Sequence, residues 1–144
     1  MDVNTINVQL ELETTIEDNG QVETNTTNES GLFHQRNNFD VLTYEEKLED
    51  GTVVKNMVTL QPDKVSVKRS GPVSMHQKFE LDQITENVFQ HPHGHIHMET
   101  TTHSIDYRPL GENANAEVRI DYTVKLNGQE KRKHTLSLIL KEAP

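Results

Sequence analysis

A chain of 144 residues can enclose one substantial core and falls within the length of a single domain. Only 32% of it is hydrophobic and its mean hydropathy is −0.75, so the core has to come from elements that are apolar on one side. A net charge of −9 opposes binding to nucleic-acid phosphates and anionic lipid; the lack of cysteine removes disulfides, thiolate nucleophiles and Cys zinc sites, and no Trp is present to anchor an interface.

In chain order, Ile6, Val8, Leu10, Leu12, Thr14 and Ile16 take even positions with Asn7, Gln9, Glu11 and Glu13 between them. That period of two is the mark of a half-buried strand. Asn19-Gly20 follows as a two-residue hairpin signal. Residues 21–29 are rich in Thr and Asn with Val22 as their one apolar side chain, which predicts a weak or edge strand. Ser30-Gly31 reads as a break before a short segment at 32–35, and Arg36-Asn37-Asn38 as a turn.

Residues 39–45 alternate as a strand would, although Val41, Leu42, Glu45 and Leu48 also suit a helical face. Asp50-Gly51, a hairpin into the β-rich run 52–60, favours the strand. Pro62 marks a turn, and Val65, Val67 and Arg69 then share one face. After Ser70-Gly71-Pro72, the next inward row is Val73, Met75, Gln77, Phe79 and Leu81. Leu81, Ile84 and Val88 are spaced by three and four, which predicts a short helical turn.

Residues 89–107 hold His91, His93, His95, His97 and His103. Ile96, Met98, Thr100 and Thr102 alternate there with His95, His97, Glu99 and Thr101, again a strand. A polar loop is expected over 107–115. Val118, Ile120, Tyr122, Val124 and Leu126 form the next inward row, Asn127-Gly128 a second hairpin, and Leu136, Leu138 and Leu140 the last row. Lys131-Arg132-Lys133 reads as a solvated strand edge.

Eight to ten one-sided strands joined by tight turns, with no sustained helical period between them, argue against parallel βαβ topology. Closure into a barrel removes the exposed edges such a meander would leave. The expected fold is therefore all-β: a single antiparallel barrel over residues 1–144. With no signal peptide evident and no run of about 18 apolar residues, a soluble cytoplasmic protein is expected, without nucleic-acid or membrane partners.

Arg69-Ser70-Gly71, Met75, Phe79, Pro92-His93-Gly94, Met98 and Tyr122 together resemble the pattern of the YwiB-like family, small bacterial proteins of unknown function found mostly in Bacillus and its relatives. The resemblance spans nearly the whole chain. It implies a calycin-like barrel, comparable with lipocalins and fatty-acid-binding proteins, and it implies no activity. The lipocalin Gly-x-Trp motif is missing, and so is the fatty-acid-binding Arg-x-Tyr clamp. Arg119 and Tyr122 have the wrong spacing for that clamp and lie on opposite faces.

Two constellations could carry chemistry. Residues i and i+2 of a strand lie roughly 6.6 Å apart on one face, so His95 and His97 could share a zinc at about 2.0–2.1 Å from each nitrogen. His93 or Glu99 would be the third ligand. The competing reading puts Ile96 and Met98 inward and the histidines on the outer wall. Arg69 continues the Val65–Val67 face, and an inward guanidinium needs either an internal carboxylate or carbonyl, or an anionic ligand suited to its planar donors. Nucleophilic catalysis lacks a Cys, a Gly-x-Ser-x-Gly elbow or a phosphate loop, and Glu45-Glu46 and Glu49-Asp50 read as solvated charge beside turns.

The leading expectation is a non-catalytic barrel binding a small ligand, with Arg69 as anion anchor and Met75, Phe79, Ile120 and Tyr122 along the wall. A zinc or other divalent-metal protein, or a metal-assisted enzyme, using His93, His95 and His97 is the alternative; no cofactor is favoured. A protein-interaction module that self-associates through an exposed barrel edge is the third.

Overall fold

The structure, a computed structural model, describes residues 4–110 and 115–143, except for the side chains of Asn4 and His91. Ten strands follow one another: β1 (Asn4–Asp18), β2 (Gln21–Gln35), β3 (Asp40–Lys47), β4 (Val53–Gln61), β5 (Lys64–Ser70), β6 (Met75–Glu80), β7 (Ile84–His91), β8 (Gly94–Arg108), β9 (Asn115–Leu126) and β10 (Arg132–Glu142). They form one antiparallel sheet in the order β6-β5-β4-β3-β2-β1-β10-β9-β8-β7. Among the described residues there is no helix, and so none long and apolar enough to cross a membrane.

Tight turns enforce this meander. Asn19 and Gly20 have φ of 52° and 83°, and Asn127 and Gly128 have 47° and 73°. Two successive left-handed residues give the hairpin turn whose twist matches the strands it joins. The sheet then curls until its first and last strands meet. Ser74 and Gln90 exchange both backbone hydrogen bonds at 2.8 Å, and the Thr85 hydroxyl donates to the Lys78 carbonyl. Inside, the Gln77 side-chain amide donates to Thr100 Oγ1 at 3.0 Å, tying β6 to β8 across this seam. The result is a nearly closed barrel, whose seam is an isolated bridge where the other junctions are ladders.

The inward rows meet in one core. Val8, Leu10, Phe33, Leu42, Leu60, Val65, Phe79, Val118, Ile120, Leu138 and Leu140 are all buried. Fully burying one such side chain contributes about 1.5–3 kcal/mol, so these few positions supply most of the folding drive that a polar composition leaves available.

Several details depart from the sequence reading, each for a physical reason. β2 is one 15-residue strand, paired with β1 along its whole length. Gly31 does not break it: a Cβ there would lie 2.7 Å from the Thr43 carbonyl oxygen, so glycine serves a close approach between β2 and β3. Residues 84–91 are strand where a helical turn was expected. Ile84 and Val88 share the outer face of β7 and stay exposed, so their spacing reflects no buried helical stripe. Leu81 leaves the inward row at the turn, where Asp82 adopts φ 61°. β10 lies between β1 and β9, so the basic triplet at 131–133 is not on a sheet edge; the edges are β6 and β7. β8 runs on to Arg108, and residues 111–114 of the expected loop lie outside the described residues. Within β8 the register to β9 shifts between Thr102 and Ser104. That bulge at His103 turns Ile105 and Tyr107 inward, as a β-bulge does by adding one unpaired residue.

Candidate functional site

The hairpins β1–β2, β3–β4, β5–β6, β7–β8 and β9–β10 all lie at one end of the barrel, and there the inner faces change character. Arg69 is the last inward residue of β5, after Val65 and Val67. Its Nη2 donates to Glu46 Oε1 at 3.5 Å, and the two side chains are 25% and 26% exposed. Glu46 faces inward from β3 by the same alternation that buries Leu42 and Tyr44, so it is not the solvated charge its neighbour Glu45 is. The same Oε1 accepts a 2.9 Å hydrogen bond from Asn56 Nδ2, which is buried on β4. A partly solvated, long ion pair of this kind contributes under about 1 kcal/mol. Its effect is to aim the guanidinium.

Across the mouth, β10 supplies His134. It lies opposite Tyr122 in the β9–β10 ladder, the ring centroids 5.1 Å apart, and its buried Nε2 has no hydrogen-bond partner among the described residues. Burial, reinforced by the Arg132 charge, lowers its pKa to about 4. Arg132 itself pairs with Asp18 through Nε to Oδ2 at 3.4 Å. Burial pushes the Tyr122 phenol up to about 12. The Tyr44 phenol also rises to about 12, through burial first and Glu46 second, with Arg69 opposing. Both hydroxyls are therefore neutral donors at physiological pH.

Arg69 and Met75 stand opposite each other in the β5–β6 ladder, at the mouth. Phe79 and Tyr122 meet edge-on deeper in, with centroids 4.7 Å apart at 66°, and Ile120 is fully buried below them. The five residues thus divide into a mouth pair and a packed core trio. Beneath the mouth, Leu12, Tyr44, Val67 and Leu136 help bound a cavity of about 40 Å³, room for roughly one or two waters.

His93, His95 and His97 are exposed; His95 and His97 take the outer face of β8, while Ile96 and Met98 turn in and are half-buried. His97 Nε2 lies 4.0 Å from Glu86 Oε2 on the neighbouring strand. Among the described residues no three His, Asp or Glu side chains are placed to hold a metal ion. Glu46, read from the sequence as solvated charge, completes the mouth together with Asn56 and His134, which the sequence did not single out. His134 had a usable signal, since it shares the even positions of Leu136, Leu138 and Leu140.

Residues 10–138 match a domain of unknown function, DUF1934. The chain belongs to this family. DUF1934 describes nearly all of the barrel, from the middle of β1 to the inward leucines of β10. The chain is 27% identical over 131 residues to the uncharacterized β-barrel protein YwiB of Bacillus subtilis (strain 168), covering 91% of this chain and 90% of that one. It also superposes on the crystal structure of the ywiB protein from Bacillus subtilis with a TM-score of 0.79 at 25% identity, covering 97% of this chain and 94% of that one. The barrel fold is therefore shared over nearly the whole of both chains.

Proposed function

We propose that this protein is a non-catalytic binding barrel that takes a small anionic ligand at its hairpin-end mouth, with Arg69 as the anchor. The state of the Arg69 guanidinium carries the reading. It faces inward, keeps a quarter of its side chain exposed and makes one hydrogen bond among the described residues, to Glu46. A guanidinium has five N–H donors in a planar fork, so most remain for a carboxylate or phosphate arriving from solvent. The ligand's body would lie against the half-buried Met75, Met98, Leu126 and Leu136 around the mouth, above a cavity large enough only for water. The test is fluorescence titration with anilinonaphthalene sulfonate, an apolar ring system with an anionic head. Arg69→Met should weaken binding by about tenfold, the scale of one charge-assisted contact. Equal binding by both proteins would contradict the assignment.

A further inference from the structure

The outer wall of β3–β6 differs in charge from the chain as a whole. On the outward faces of these strands Lys47, Lys55, Lys64, Lys68 and Lys78 stand against Glu45 and Glu80, a net of +3 on a chain whose total is −9, with the acids Glu49, Asp50 and Asp63 confined to the joining turns. Lys64 is occupied by Glu80 at 3.9 Å, whereas Lys47, Lys55, Lys68 and Lys78 have no carboxylate within ion-pair distance among the described residues. His76 stands opposite Lys68, and burial first, then Lys78 and Lys68, holds its imidazole below the usual range. This is the pattern of a positive surface built into an acidic protein.

A groove of about 530 Å³ lies in this wall. It sits where β2 and β3 part: their pairing ends at Gly31 and Tyr44, after which β2 follows β1 alone. Cross-strand register builds its floor, since Leu32 faces Thr43, Thr43 faces Met57 and Met57 faces Lys68. Leu32 is 42% and Met57 46% exposed, an apolar strip on a largely polar wall. Lys55 and Ser70 face each other in the next row. Glu45, the acid in the lining, stands opposite Lys55 without closing an ion pair, so the ammonium stays available.

We propose that this groove is a second binding site, for a soluble amphipathic anion whose hydrocarbon body covers Leu32 and Met57 and whose carboxylate or phosphate head meets Lys55 and Lys68. The volume lies within the roughly 300–1,000 Å³ range of small-molecule sites. Two ammonium groups converging on one head give charge-assisted hydrogen bonds, while the strip buries apolar surface that water otherwise covers. A flat anionic membrane fits the same chemistry less well, because the rest of the acidic chain would be repelled by it.

Dodecanoate, below its micelle concentration, is the probe, titrated into isotope-labelled protein while backbone amide shifts are followed. Shifts should cluster at residues 30–32, 43–45, 55–57 and 68–70. Lys55→Gln combined with Lys68→Gln should weaken binding by at least about tenfold, read from the shifts at Leu32 and Thr43, and Met57→Glu should abolish it. All three substituted positions are exposed to solvent, so the variants should fold. Shifts gathered instead around Met75, Tyr122 and His134, undiminished affinity in the double lysine variant, or attachment to phosphatidylglycerol vesicles with no dodecanoate response would each overturn the proposal.

Discussion

The two ends of the barrel are made by the same ten strands, yet they bury opposite kinds of side chain. Toward the β2–β3, β4–β5 and β6–β7 connections, Phe33, Leu42, Leu60, Val65 and Phe79 are almost wholly buried. The Tyr107 hydroxyl donates to Asp40 Oδ2 there at 2.6 Å, with burial and that carboxylate raising the phenol's pKa. At the hairpin end the same alternation brings in Glu46, Asn56, Arg69, Arg132 and His134. A composition this polar can pack one end tightly and leave the other wet. Stability concentrates in the first region and polar side chains in the second, an arrangement in which a mouth residue can change at little cost to the fold.

The largest contrast should come from truncating one side chain at each end. Phe79→Ala, in the packed region, should cost about 3–5 kcal/mol, whereas Met75→Ala at the half-buried mouth should cost under about 1.5 kcal/mol, both read from urea midpoints. Similar losses at the two sites would break the comparison.

A smaller effect is expected from His134. Its folded-state pKa of about 4 lies below the ordinary 6.5. Between those values the unfolded chain binds a proton that the folded chain refuses, so stability is intact above pH 6.5 and declines as the pH falls toward 4. His134→Leu should flatten that decline by about 1 kcal/mol, less than the whole shift because the ring is partly solvated. The wild-type and variant urea midpoints across pH 4–7 measure it; parallel curves would place the ring in water.

The strand rows of β1, β9 and β10 were legible because their apolar side chains recur every second residue and one face turns inward throughout. Elsewhere the pattern is degenerate. Thr101, Thr102, His103 and Ser104 suit either face, so nothing local announces the bulge that turns Ile105 and Tyr107 inward. Gly31 has the residue type of a turn and the role of a close approach, which depends on β3 lying beside it. Leu81, Ile84 and Val88 mimic a helical stripe because exposed apolar residues on β7 happen to fall at that spacing. At the mouth, the inward direction of Arg69 follows from its own strand. Its partner does not, since Glu46 is identified only by how β3, β4 and β5 align.

Amide hydrogen exchange along β10 tests the contrast between the ends most directly, because this one strand runs from the mouth to the packed region. Amides at 138–140 should exchange near the rate of global unfolding, and those at 132–134 roughly a hundredfold faster through local opening. Uniform protection from Arg132 to Leu140 would contradict an open polar mouth set on a closed apolar base.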